Sequence, residues 1–340
     1  MRPLDTASFD TITLKSPRPS RISHLFTLAE KQGAPLRRAL ARRALGTSLF
    51  FVGQLAESAA ALDEGIAIDD AIAAWEDPTH LLLYTERAGV VCRSLSARAL
   101  WFLGFPDRAL ERVDAGLTLA QGLAHAYSLA FALTWAALLH NLRREFDAAR
   151  RRAESAIGIA REHHMAESLT QAPICRGFAL VGLGLQTEGI AQLRTGLADW
   201  NRDGVHFSDT QWLAWIAEAH LQADQFDDAL VALDRAAEIG AVTTECHYEA
   251  ELHRLKGVVL AQTREDVKAV SCFQRAIETA RSQQAKSLEL RAATNLAKLW
   301  ADHGERQKAS DLLAPVYGWF TEGFDTADLK DAKALLDELA

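Results

Sequence analysis

The chain has 340 residues, 49% hydrophobic and 24% charged, with a formal net charge of -8 at neutral pH. That balance excludes a protein built chiefly to hold nucleic acid, which carries a basic face. Four cysteines (Cys92, Cys175, Cys246 and Cys272) lack zinc-ligand or redox spacing, and the longest apolar run, near 129–139, is short of the ~20 residues of a membrane span. The expectation is a cytoplasmic protein with reduced thiols and no membrane contact.

In chain order, residues 1–20 are rich in Pro, Ser and Thr and show no periodicity, so they are read as irregular. Residues 21–34 have a helical apolar pattern but no partner helix before them, the mark of a truncated repeat. Its bare apolar face must be covered by the first twenty residues, by a partner, or by a second protomer in a homodimer. From residue 35 to 323 one pattern recurs. Ala109, Ala149, Gly189, Ala229, Ala269 and Ala309 lie 40 residues apart, and Ser58 anchors a weaker copy 51 residues before Ala109. A fixed period near 40 signals stacked helical hairpins.

The small positions sharpen this reading. Twelve residues before each anchor stand Gly46, Ala97, Ala137, Gly177, Ala217, Gly257 and Ala297; seven after stand Gly65, Gly116, Ala156, Gly196, Ala236, Ala276 and Val316. With the anchors, 20 of these 21 positions are Ala, Gly or Ser, as close helix contacts require. Bulky knobs such as Leu62, Leu193, Leu233 and Phe273 follow each anchor by four. Gly53, Gly104, Gly184 and Gly304 mark the turn inside four hairpins. The fold class predicted is an all-α, right-handed tetratricopeptide-type solenoid of seven repeats. Residues 324–340 form a capping helix with a stripe of Leu329, Ala332, Leu336 and Leu339, capped by Asp325 or Thr326. Gly323 should end the last repeat's second helix, which Pro315 should bend.

Several stretches resemble one family: 44–68 (ALGTSLFFVGQLAESAAALDEGIAI), 97–113 (ARALWFLGFPDRALERV), 188–200 (EGIAQLRTGLADW), 248–261 (YEAELHRLKGVVLA) and, most specifically, 285–339. They are similar to the C-terminal tetratricopeptide-repeat region of large bacterial signalling regulators. In those, a class III adenylate or guanylate cyclase domain, or a winged-helix domain, precedes an AAA-like ATPase and then these repeats. The likeness covers 21–340 and departs at 85–88, where the family has a Gly-Gln-Asp-Pro-like turn, so 69–87 is expected to differ in shape. The chain has no room for cyclase or ATPase domains. The resemblance implies the regulatory module and a partner of the ATPase or cyclase type.

No catalytic set is legible, and no cofactor or metal is expected. Gly184 and Gly189 have phosphate-loop spacing, but Ile190 and Ala191 follow where Lys and Ser/Thr are required. His163 and His164 lack metal-ligand spacing, and His140 and His220 sit at core positions. What remains is a concave groove lined by the first helix of each repeat. Its candidate residues are Phe50, Phe51, Trp101, Phe102, Phe131, Leu138 and Phe178 in an aromatic first half. In a polar second half they are Glu218, Arg254, Arg291 and Lys298, with Gln211, Gln222, Gln262 and Asp302. Such a groove suits a peptide or protein partner with one apolar and one charged end. Other readings are a small-ligand sensor of an ATPase- or cyclase-type regulator and the remnant of a longer adenylate cyclase-like protein.

Overall fold

The small residues at 40-residue spacing fall where helices touch. The computed structural model describes residues 35–72, 86–165, 168–202 and 207–340, so the expectations for 1–34 and for most of 69–87 lie outside the described residues. The described residues form fifteen helices and no strand. They are α1 (Pro35–Phe51), α2 (Leu55–Asp70), α3 (Ala88–Phe102), α4 (Pro106–Gly122), α5 (Ala126–Leu142), α6 (Phe146–Glu162), α7 (Ser168–Gly182), α8 (Gln186–Asn201), α9 (Asp209–Gln222), α10 (Phe226–Thr243), α11 (Glu249–Gln262), α12 (Asp266–Ser282), α13 (Lys286–Asp302), α14 (Arg306–Tyr317) and α15 (Ala327–Leu339). Successive pairs from α1–α2 to α13–α14 make antiparallel hairpins, each leaning on the next, and α15 covers the end. The result is an α-solenoid.

The hairpins owe their close packing to the small positions. A Cβ on Gly46 would stand 2.5 Å from Leu62 Cγ, and one on Gly257 2.7 Å from the Phe273 ring, so the knob of the second helix fills the hole in the first. All seven inner turns have the same geometry. One residue, at Gly53, Gly104, Arg144, Gly184, Asp224, Arg264 and Gly304, takes a positive φ. In each the next amide bonds five residues back, as Phe105 N does to Leu100 O at 2.9 Å and Glu145 N to His140 O at 2.8 Å. This motif closes the carbonyls left open at a helix C-terminus.

The two ends depart from expectation. The last second helix, α14, stops at Tyr317, two residues after Pro315, rather than running to Gly323. Gly323 (φ 77°) instead turns the following loop against Pro106, whose Cγ would lie 2.1 Å from an added Cβ. Thr326 precedes α15 but its hydroxyl bonds Gly323 O at 2.6 Å and does not cap the helix. Of the expected stripe, Leu329, Ala332 and Leu339 are buried and Leu336 is half-buried.

The stack curves until its second half meets its first. The last-turn carbonyls of α1, α3 and α5 each receive a donor from far along the chain. Cys246 N bonds Phe51 O at 2.9 Å, Ser287 Oγ bonds Trp101 O at 2.5 Å, and Arg291 Nη2 bonds Leu142 O at 2.7 Å. At the start of α4, the Glu322 carboxylate accepts from Asp107 N and Arg108 N at 2.9 and 3.0 Å, where a helix N-terminus favours negative charge. These contacts join the first, second and third hairpins to the fifth, seventh and terminal elements, and close the superhelix.

Candidate binding site

Closure fills the aromatic half of the groove expected from the sequence. Phe50, Phe51, Trp101, Phe102, Leu138 and Phe178 are all buried, and Phe131 is half-buried against Trp135. The Phe50 ring packs edge-on to Phe102 and lies 4.9 Å from the ring of His247, which comes from the fifth inter-hairpin segment. Phe178 stacks on Trp215 at 4.4 Å. The predicted greasy groove is thus not open to a partner. For Phe50, Phe51, Trp101 and Phe102 the occupant is the second half of the same chain, a correction that follows from the curvature of the stack, whereas Phe178 is covered by the next hairpin.

Inside this seam Arg98 is almost fully buried, its guanidinium 4.2 Å over the Phe50 ring, bonded to Gln211 Oε1 and lying 2.9 Å from His247 Nε2. Burial pulls it down to about 9, against the opposing pull of Glu245, so it stays charged at neutral pH. The Phe50 face offsets part of its desolvation. Gln211, expected to line the groove, is buried here instead.

His140 and His220 are indeed core residues, each bonding across its own inner turn, to Glu145 Oε2 and Gln225 Oε1, both at 2.6 Å. No group of three or more metal-ligating side chains gathers among the described residues, and no helix described is long and apolar enough to cross a membrane.

The polar half of the groove survives as a partly open cavity of about 440 Å³. It brings together Glu218 and Gln222 on α9, Arg254 on α11 and Arg291 on α13, four of the eight polar residues expected in the groove; Lys298 is exposed and outside the lining, as is Asp302. Arg144 from the α5–α6 turn and Asp328 and Asp331 from α15 complete the wall. Sequence reasoning passed over these last three. The available signal was an arginine at a turn position that is Gly in four other repeats.

The charges are interlocked. Arg254 grips Glu251 with two bonds of 2.8 Å and reaches Asn295 Oδ1 at 2.9 Å. Arg291 bridges Glu251 at 3.3 Å and Asp328 at 2.8 Å, its guanidinium 4.9 Å from the centre of the Trp101 ring. Arg144 holds Asp331 and, at 3.4 Å, Asp328. Glu251 is fully buried; burial raises its carboxyl, but Arg254 and Arg291 overcome that and hold it below its usual value. Glu218 behaves oppositely. Burial raises it, Arg254 does not compensate, and Glu251 adds repulsion. It has no hydrogen-bond or ion-pair partner among the described residues. A second cavity of about 210 Å³ shares Glu218, Gln222 and Arg254 with the first and adds the apolar side chains Leu221, Phe226, Leu255 and Val258.

Comparison with known proteins bears on the fold. No family model matches the chain. Solved structures of similar shape include a Rap protein complexed with competence and sporulation factor (TM-score 0.60, 11% identity, 95% of this chain and 94% of that one). Another is the Rap conjugation gene regulator of plasmid pLS20 with the Phr* peptide (TM-score 0.59, 11% identity, 89% of this chain and 76% of that one). A third is the apo quorum sensor NprR of B. thuringiensis (TM-score 0.53, 13% identity, 87% of this chain and 80% of that one). The fold is a tetratricopeptide-type α-solenoid. A curated relative, an uncharacterised protein of Rhizobium meliloti strain 1021, is 27% identical over 255 residues, 74% of this chain. The chain spans about a quarter (24%) of that relative's length.

Proposed function

We propose that this chain is a non-enzymatic regulatory module that binds a peptide, or an extended segment of a protein partner, in the polar cavity. The observation that carries the proposal is the cavity itself. Closure buries most of the aromatic half of the concave face, while the polar half keeps a cavity whose polar groups converge from five elements. Groups held by so many charge-assisted bonds are preorganised, which lowers the cost of binding. The solved neighbours support the reading, since two are described with bound peptide or factor and one as a quorum sensor. The size of the curated relative fits a regulatory part of a longer signalling protein, with an ATPase- or cyclase-type domain as the element regulated.

A second reading, a small-ligand sensor, is favoured by the cavity's volume, which lies within the range of small-molecule sites, about 300–1,000 Å³. Selection of a displayed random-peptide library on the wild-type protein, with affinities remeasured on Asn295→Trp, tests the first. Asn295 lines the cavity, and an indole there fills it. Enriched peptides should lose at least about tenfold in affinity on the variant. Peptides that bind both proteins equally would place the binding surface elsewhere.

A further inference from the structure

The cavity walls contain three guanidinium groups, Arg144, Arg254 and Arg291, and three carboxylates, Glu218, Asp328 and Asp331; a fourth, Glu251, is buried behind Arg254 and Arg291. Every guanidinium is engaged, and every carboxylate except Glu218 is held by at least one of them. Among these groups one negative charge is left over, and it belongs to Glu218; Asp224, exposed in the second cavity, adds to the negative side. Glu218 also lies where the two cavities meet. Toward Arg144 the walls are polar; on the other side Leu221, Phe226, Leu255 and Val258 give apolar surface beside Asp224 and Gln262. Gln222, one helical turn further along α9, lines both cavities on the same face.

We infer that the site recognises a cationic group bearing N–H donors, a guanidinium or ammonium, which pairs with Glu218 while an apolar neighbour occupies the Leu221–Phe226 side. This rests on the cavity being the binding site. An added cation balances the site's charge and gives Glu218 the hydrogen bonds it lacks, and the carboxylates bonded to the three arginines offset part of their repulsion. An anionic ligand would have to displace those bonds. The apolar side makes a basic residue flanked by apolar residues in a peptide the better occupant than a free small cation. Burial raises Glu218, so its carboxyl ionises at a higher pH than usual, and binding should strengthen as the pH rises through that range.

The test uses the full chain and three probes in isothermal titration: a capped tripeptide with arginine between two leucines, the same peptide with neutral citrulline, and agmatine. The arginine peptide should bind at least about tenfold more tightly than the citrulline peptide, and more tightly than agmatine. Glu218→Gln should remove the arginine preference and leave the citrulline peptide unchanged. Gln222→Glu, which adds a second carboxylate, should strengthen arginine binding and keeps the test decisive if Glu218→Gln folds poorly. Equal affinity for the arginine and citrulline peptides, or an arginine preference that survives Glu218→Gln, overturns the inference and leaves the cavity reading standing. No binding of either arginine-type probe at millimolar concentration also overturns it. Agmatine binding as tightly as the arginine peptide would assign the site to a small cation. Binding that survives Asn295→Trp removes the cavity reading and the inference with it.

Discussion

Replacing Gly189 by alanine would install the residue that five other repeats carry at this position, yet it should destabilise the protein. The fourth repeat is the one with glycine at both contact positions, Gly177 and Gly189. Its two helices have closed into the space accordingly. A Cβ on Gly189 would stand 2.7 Å from Gly177 O and 2.9 Å from Val181 N, as well as 2.5 Å from Val181 Cγ2. Two of these three are backbone atoms, which cannot swing aside. Alanine gains about 1 kcal/mol over glycine from helix propensity. Overpacking against backbone costs about 1–3 kcal/mol, here toward the upper end. The net expectation is a loss of roughly 1–2 kcal/mol. Gly158→Ala on α6 is the control: that glycine is exposed with nothing within 4 Å of the added atom, and the change should stabilise by about 0.5–1 kcal/mol. Urea unfolding followed by circular dichroism reads both. If Gly189→Ala stabilises as Gly158→Ala does, the close-contact argument for the whole array is wrong.

Two further predictions concern the turn and the seam. Arg264 holds a positive φ of 65° with its side chain exposed, where four other repeats have glycine, so Arg264→Gly should stabilise by about 1 kcal/mol in the same unfolding assay. Burial, and then the neighbouring Arg98, hold His247 well below its usual value. The folded protein therefore keeps His247 neutral while the unfolded chain takes up a proton near pH 6.5, so stability is full above that pH and falls as the pH drops below it. His125 and His253, also lowered, act with the same sign, whereas the raised Asp69, Glu218 and Glu245 carboxyls oppose it at lower pH. His247→Gln should flatten the stability slope between pH 6.5 and 5.5 by up to about 1.4 kcal/mol per unit, measured by urea unfolding at each pH. An unchanged slope would show that His247 is not kept neutral.

The hairpins were legible because their determinants are local. Gly46 and Leu62, or Gly257 and Phe273, are within one repeat, and the turn glycines recur at the repeat period. The contacts that decide the site are not local. Nothing near Phe51 indicates that its carbonyl meets Cys246 N, because the approach depends on small rotations accumulated over four hairpins. Phe50 and Trp101 carry the same pattern whether they line an open groove or fill a closed one. Reading them as a groove required an open superhelix. For Glu218, Arg254 and Arg291 the helical spacing alone placed them on one inner face, and that placement is independent of closure. Arg144, Asp328 and Asp331 became neighbours only when α15 folded back over the third hairpin's turn.

The most direct measurement of that closure uses the thiol already present at the seam. A Cβ on Gly53 would lie 3.2 Å from Cys246 Sγ, within reach of a disulfide, whose two Cβ atoms stand about 3.8 Å apart. In Gly53→Cys, mild oxidation should link the introduced thiol to Cys246 within one molecule, giving a monomeric species that migrates faster on a non-reducing gel and a single cross-linked peptide by mass spectrometry. Two thiols that stay free in the folded protein, or that link only between molecules, would mean that the superhelix is open and the cavity as described does not exist.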